Sequence, residues 1–582
     1  MRRALGLALL GVVAAAIVVA VAGADGGSGR TGGNDQLQQI NHIVVIYEEN
    51  HSFDNLYGGW EGVNGRANAT AAQITQVNQA GVPFMCLKQL EVNLTSPPLA
   101  ATCNDTTTAT PFPSAFANTF FNIDSLIPAS ALTCPQPGGF FASGSLPNAA
   151  NLPGGCTRDI VHRFYQEQFQ INHGAQNRYS LGSDAAGLTQ GYYDTAALPI
   201  YQYLHTQDHP HYVVADNFFQ GAFGGSFLNH QWLITAHAPV WTGAVNDGTS
   251  NDFHSILDAN GFPNSSYPLY HPSTTVKDSM LTQQCSLPTT VASLACGDFA
   301  VNTTQPWYQP YSPGTADNKR LPPLTTPTIG DELSAAGVDW AWYAGGWNNA
   351  NGVIGGPGWT NGDGPTCSDP QTAAGAVFPN CPNAVFQYHH QPFNYFFKYR
   401  PGTFARQEHL RDESEFMQLA QSSTSHGEGG SCNFRPVSFV KPIGLENEHP
   451  GYTSESEGAN HLVALLKAIE GSACARDTMV VVTYDEFGGQ WDHVAPPGQS
   501  TRPTAPGASD QWGPGTRVPA LILAPSTQGE FAVDHTQYDT TSILTTIEQR
   551  YGLAPLGTRD AAVNSLANVF SAKPYNSKGD HK

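Results

Sequence analysis

Residues 42–47 read His-Ile-Val-Val-Ile-Tyr, five apolar or aromatic side chains in a row with no polar residue between them. A strand with one wet face alternates apolar and polar residues. A continuous apolar strand must be covered on both faces, as in a parallel sheet flanked by helices. Similar runs recur at 211–219 (HYVVADNFF), 338–346 (VDWAWYAGG), 478–486 (TMVVVTYDE) and 518–526 (VPALILAPS). Helical patterns fall among them. SFLNHQWLITAHA follows the second run, EGANHLVALLKAIEGSA precedes the fourth, and TTSILTTIEQRYG closes the series with Gly552 as its C-cap. Strands alternating with helices predict an α/β fold with a mostly parallel central sheet.

The segments around this frame are of a different kind. Residues 60–160 and 240–330 are rich in Thr, Pro, Asn, Gly and Cys and have weak periodicity. They read as insertions within one domain spanning 39–572, followed by a tail at 573–582. At the start, Arg2 and Arg3 precede a long apolar run and the small residues Ala22-Gly23-Ala24. This reads as a secretory signal over 1–24, with an uncleaved anchor as the alternative, and residues 25–38 as a flexible leader. The chain is therefore expected to be secreted or periplasmic. Its ten cysteines form no CxxC pair, so disulfides are expected and a thiolate metal site is not. Cys285 with Cys296 and Cys367 with Cys381 are the reasonable neighbours. A net charge of -21 repels phosphate backbones and argues against nucleic-acid binding.

In open α/β sheets, ligands bind beyond the carboxyl ends of the strands. Three stretches put chemistry there. Glu48-Glu49-Asn50 follows the first strand, and Asp485-Glu486 follows the Val480-Val481-Val482 strand. In GAFGGSFLNHQWL, Ser226 opens a helix after a Gly-rich turn, where exposed N–H groups favour an anion. Carboxylates with an amide oxygen suit a hard divalent cation, which would ready Ser226 as a nucleophile. Singly, each stretch is commonly a solvated turn or a helix cap; the coincidence of all three at strand ends carries the reading. Histidines add to it: His389-His390 beside a Pro-aromatic turn, His449 in ENEHPGY, His162 and His173 in RDIVHRFYQEQFQINHG, and His493 in WDHVAPP. Asp534-His535 ranks lower.

These residues resemble a known family. EENHSFDNLYG is similar to the Glu-Asn-x-Ser-Phe-Asp opening of the bacterial phosphoesterases, which include phospholipases C and related acid phosphatases. YDEFGGQWDHVAPP, GTRVPALILAPS and YDTTSILTTIEQRYGL resemble its later blocks, in the right order from about residue 40 to 555. The resemblance implies a three-layer α/β/α sandwich of alkaline-phosphatase type. It implies Glu49, Asn50, Asp485, Glu486 and Ser226 as metal ligands, and a phosphoserine intermediate at Ser226. It implies that His162, His389, His390 and His449 line a phosphate pocket; Glu48 receives no role. All-oxygen ligation favours Mg, Ca or Mn, and the nearby histidines keep Zn and Fe in the set.

Departures from the family pattern choose between its branches. The phospholipase branch usually has Pro-Asn-Arg after its nucleophile, where this chain has Leu228-Asn229-His230; Thr540 stands where that branch tends to have His. Together with His389-His390, this leans toward an acid phosphatase acting on small phosphate esters. The alternative is a phospholipase C cleaving phosphatidylcholine-type lipids, which would touch a membrane surface transiently. A further alternative, a non-catalytic cell-surface binding protein, is countered by the presence of every proposed ligand type. A sulfatase would need Cys/Ser-x-Pro-x-Arg at Ser226 and a serine esterase Gly-x-Ser-x-Gly; neither is present. Oligomeric state is not written in the sequence.

Overall fold

The computed structural model describes residues 30–89, 99–135, 152–206, 209, 211–241, 280–282, 295, 297–359, 385–423, 430–499, 504–525, 527 and 531–575. The N-terminal apolar run and Cys285, Cys296, Cys367 and Cys381 lie outside these residues. Eight strands form one sheet: β1 (His42–Glu48), β2 (Tyr212–Ala215), β3 (Trp340–Ala344), β4 (Leu410–Asp412), β5 (Val437–Lys441), β6 (Thr478–Tyr484), β7 (Ala520–Leu523) and β8 (Ala532–Asp534). Their order is β4-β3-β5-β1-β6-β7-β2-β8. All adjacent pairs are parallel except the two that β7 makes, with β6 and with β2. The expected mixed α/β fold with a large, mostly parallel sheet is therefore present.

The burial of β1 explains its composition. Ile43, Val44, Val45, Ile46 and Tyr47 are each at most 1% exposed, because β1 lies between β5 and β6 with both faces covered. β5 and β4 escape the apolar-run reading for physical reasons. β5 reads Val-Ser-Phe-Val-Lys, with a buried Ser438 and a buried Lys441, and β4 has three residues.

The helices that matter for the site are α1 (Phe53–Leu56), α2 (Phe164–Ile171), α3 (Pro199–Thr206), α4 (Ser226–Thr235), α5 (Ile329–Ala335), α6 (Glu413–Ser422), α7 (Glu455–Glu470) and α8 (Thr541–Tyr551). α7 packs against α3 and α6, whereas α4 packs against α8 and α5. α7 begins where Ser454 accepts a hydrogen bond from the Glu457 N–H, and it buries Leu462, Val463, Leu465, Leu466 and Ile469. α8 ends at Gly552, whose left-handed backbone (φ +66°) lets its N–H reach the Glu548 carbonyl.

Much of the region from 84 to 135 lies outside the main sheet as short paired strands. Disulfides Cys86–Cys103 and Cys134–Cys156 tie that region, and Cys432–Cys474 joins the approach to β5 with the approach to β6. Among the described residues no helix is long and apolar enough to cross a membrane.

A Cβ at position 552 would meet nothing within 4 Å, so only the backbone conformation opposes a side chain there. Gly552→Ala should cost about 1 kcal/mol, read as a lower midpoint in urea with an unchanged slope.

Candidate active site

The site is created by register. β1 pairs with β6 from His42 opposite Thr478 to Glu48 opposite Tyr484. Both strands end together, so Glu49 and Asp485 emerge side by side, and the Asp485 N–H donates to the Glu48 carbonyl at 3.1 Å. On the other flank Ile46 pairs with Val440 of β5. The next residue, Lys441, reaches back: its Nζ donates to the Tyr47 carbonyl at 2.7 Å and stands 2.5 Å from Glu49 Oε1.

Glu49, Asp485 and Glu486 are each 0% exposed, and one oxygen from each lies within 4.8 Å of the others. Three buried carboxylates beside one ammonium leave a large unbalanced charge. Burial and then the Glu49 charge push the Asp485 carboxyl well above the usual range. Burial and then Asp485 do the same to Glu486. Burial also acts on Glu49, but His390 and Lys441 outweigh it and hold this carboxyl well below its ordinary value.

Asn50 completes the group. Its backbone is left-handed (φ +62°), and its N–H donates to Asp485 Oδ1 at 3.1 Å. His162 Nδ1 and His449 Nδ1 each bond a backbone carbonyl, of Ile160 and Pro450. That leaves both Nε2 atoms as acceptors for the Asn50 amide, at 3.3 and 3.2 Å. With both amide hydrogens so used, Asn50 Oδ1 is a buried acceptor without a donor. Asp485 Oδ2 and Glu486 Oε1 are likewise buried and accept no hydrogen bond. Orphaned, buried, hard oxygen atoms on three adjacent residues fit a divalent cation, which would supply the missing positive charge.

Ser226 opens α4, with Gly225 as an N-cap that offers no side chain to the helix N–H groups. Its hydroxyl donates to Glu49 Oε2 at 3.0 Å and is 5% exposed as a residue. The sheet thus brings together Ser226, Glu49, Asn50, Asp485, Glu486, His162, His390 and His449. His390 Nε2 is 3.0 Å from Glu49 Oε1, and His162 Nε2 is 3.1 Å from Glu486 Oε1. His389 joins through ring contact with His390, at 4.7 Å between centroids. Burial lowers the pKa of His162, His389, His390 and His449, the last to about 3.

Two members are absent from the sequence reading. His230 is fully buried, stacks on His390 at 5.1 Å and bonds the Ser226 carbonyl through Nδ1 at 2.8 Å. The signal for it was its place four residues after Ser226, on the same helix face. Lys441 had no signal, because nothing local marks a lysine at a strand end as buried.

Other sequence candidates go elsewhere. Glu48 is fully buried, and burial with the Glu448 charge pushes its carboxyl well above the usual range against the pull of Lys441. Successive strand side chains point to opposite faces, so Glu48 turns away from Glu49. Ser52 caps α1 and donates to the Trp491 carbonyl at 2.7 Å. His493 pairs with Asp54 in a buried cluster that includes Asp492 and Arg517. His535 pairs with Asp216. No contact among the described residues brings His173 to the site.

A mostly parallel α/β sheet carrying a buried carboxylate–amide–hydroxyl group at its strand ends defines a class of protein with a candidate cation centre. Within that class, the sequence profile of the Phosphoesterase family matches residues 40–554, and the chain belongs to this family. Phospholipase C B of Mycobacterium tuberculosis is 35% identical over 158 residues, 24% of this chain and 30% of that protein. Non-hemolytic phospholipase C of Pseudomonas aeruginosa is 29% identical over 166 residues, 24% of each. Non-specific phospholipase C6 of Arabidopsis thaliana is 28% identical over 148 residues, 23% of this chain and 28% of that protein. The chain therefore aligns with less than a third of these relatives' length. Among solved structures, a 2-O GAG sulfatase aligns over 47% of this chain and 61% of that one, at 13% identity and a TM-score of 0.22.

Asp485→Asn keeps the shape and removes one of the crowded charges. The variant should lose divalent-cation binding by at least about tenfold, measured by titration calorimetry. In chelator its thermal midpoint should rise by a few degrees above that of the chelated parent.

Proposed function

We propose that this protein is an exported, metal-dependent hydrolase of phosphoric esters that works through a phosphoserine at Ser226. The observation that carries the reading is the Ser226 hydroxyl held 3.0 Å from Glu49 at the edge of a buried, electron-rich oxygen cluster. Its fold would be the three-layer α/β/α sandwich of alkaline-phosphatase type; the two helix groups, α3–α6–α7 and α4–α5–α8, support that reading. Disulfides among the described residues support an oxidising compartment.

Glu49, Asn50, Asp485, Glu486 and Ser226 would hold the cation. When bound, it would lower the hydroxyl pKa of Ser226 and offset charge on the phosphoryl oxygens. The rest follows from the chain. Glu49 Oε2 fixes the direction of the Ser226 Oγ. N–H groups opening α4 face the phosphoryl oxygens. Ser226 gives up its hydroxyl proton to solvent, its Oγ–phosphorus bond forms as the ester oxygen–phosphorus bond breaks, and the departing alkoxide takes a proton from a pocket histidine that solvent has protonated beside the phosphate dianion. Water then attacks the phosphoserine and releases inorganic phosphate.

His389 and His390 support a phosphomonoesterase taking small phosphate esters. The printed names of the aligned relatives support a second reading, a phospholipase C acting on phosphatidylcholine-type lipids. Purified protein offered p-nitrophenyl phosphate and phosphatidylcholine vesicles side by side separates them, by nitrophenol release or by diacylglycerol release. On the better substrate, Ser226→Ala should lose at least about 10³-fold in kcat, and chelator should abolish turnover. Retained turnover in Ser226→Ala would remove the nucleophile assignment.

A further inference from the structure

Besides Asn229 of α4, the nucleophile's own helix, two buried side chains from outside that helix hold the nucleophile's loop and have no assigned role. Glu167 of α2 is 0% exposed, and each of its oxygens accepts two hydrogen bonds. Oε1 accepts from the Thr516 N–H at 2.7 Å and the Thr516 hydroxyl at 2.8 Å. Oε2 accepts from the Gln220 amide at 3.0 Å and from the Gly224 N–H. Gly224 stands two residues before Ser226 and is left-handed (φ +88°); a Cβ there would lie 2.7 Å from the Phe164 nitrogen. Gln220, also 0% exposed, works in both directions. Its Nε2 donates to the Ala222 carbonyl at 2.7 Å and the Gly224 carbonyl at 3.0 Å. Its Oε1 accepts from the N–H of Phe487, the residue after Glu486, at 3.0 Å.

We infer that Glu167 and Gln220 are positioning residues, a clamp that locks the Gly224-Gly225-Ser226 turn to the Asp485-Glu486-Phe487 turn so that the Ser226 hydroxyl faces the oxygen cluster. The inference rests on the phosphoserine reading above. Every hydrogen bond at Glu167 points inward to the carboxylate, so a neutral amide cannot replace it. In Glu167→Gln, one carboxylate oxygen becomes an NH2 group, so two of the four donors would meet N–H instead of an oxygen. The Gly224 N–H is the contact that ties the turn to Glu167, beside the Asn229 amide, which donates to the Gly224 and Gly225 carbonyls at 3.2 Å each. Neither residue touches the oxygen cluster, so cation binding should survive while the attack geometry does not. Displacement of a reacting group by about 1 Å from a remote change costs on the order of 10²-fold in rate.

The experiment is single-turnover quench-flow of the cation-loaded full chain with p-nitrophenyl phosphate, with phosphoserine at Ser226 counted by mass spectrometry. Circular dichroism confirms the fold, and calorimetry measures Mn²⁺ affinity in parallel. Glu167→Gln should lower the rate of Ser226 phosphorylation and kcat about 10²-fold, with KM and Mn²⁺ affinity within threefold of the parent. Gln220→Leu should do the same, and it carries the test if Glu167→Gln does not fold. The double variant should lose no more than the worse single one, because both act on one turn. Phosphorylation within threefold of the parent in either folded variant would overturn the clamp, as would a loss that appears only in Mn²⁺ affinity. Should the parent itself form no phosphoserine, the underlying reading fails instead.

Discussion

Three carboxylates that cannot all be ionised without help sit at the centre of this molecule. Glu49, Asp485 and Glu486 are fully buried and mutually close, with Lys441 as the adjacent ammonium. A fold optimised for stability alone would not collect them, since burying like charges raises their pKa values and weakens the folded state. Lys441 and His390 offset the charge of Glu49, and a cation would offset that of Asp485 and Glu486. Much of the surrounding architecture acts to keep these oxygen atoms aimed and dry. Parallel strands in zero-offset register deliver two of them, paired histidines orient the Asn50 amide, and a glycine lets two turns touch. A Cβ at Gly488 would lie 2.1 Å from the Asn50 carbonyl oxygen, so only glycine permits the metal-side turn to close on the first.

The same frame explains why the site is built from distant segments. Ser226 comes from a helix whose ten residues are all buried, so its first turn is fixed by packing on every side. His162 and His449 arrive on loops anchored by their own backbone bonds. Asp54, His493, Asp492 and Arg517 form a second buried ionic cluster that pins the turn after Asn50 to the segment after Glu486. In that cluster Arg517 pairs with both acids and His493 with Asp54, whereas the trio beside Ser226 has Lys441 against Glu49.

How much of this was legible in the sequence follows from which signals are local. β1 and β6 were readable because both faces are buried and their centres, 43–47 and 479–482, are continuously apolar or aromatic. Their shared terminus was readable because acids right after such strands are conspicuous. Helices α7 and α8 carried caps and periodic apolar faces. β5 was not readable, since Ser438 and Lys441 break its apolar run and their burial is a tertiary fact. Nor does the reversal of β7 show, because strand direction leaves no trace in VPALIL. Glu48 received no role from the sequence; only the sheet shows that it is fully buried. The Cys86–Cys103, Cys134–Cys156 and Cys432–Cys474 pairs each join a cysteine to the next one in the chain, the neighbour pattern the sequence suggests for the other four. Family resemblance supplied the proposed ligand set, and what the fold adds is that Glu49, Asn50, Asp485 and Glu486 are buried together beside Ser226.

Membership of the phosphoesterase family and the geometry around Ser226 converge on one claim: a cation resides among Glu49, Asn50, Asp485 and Glu486. Anomalous diffraction from crystals grown with Mn²⁺ tests it most directly. The account predicts one anomalous peak within about 2.0–2.6 Å of the carboxylate oxygens and Asn50 Oδ1, with Ser226 Oγ beside it. Crystals soaked to saturation that show these oxygens bonded only to water and protein, with no anomalous peak among them, would contradict it.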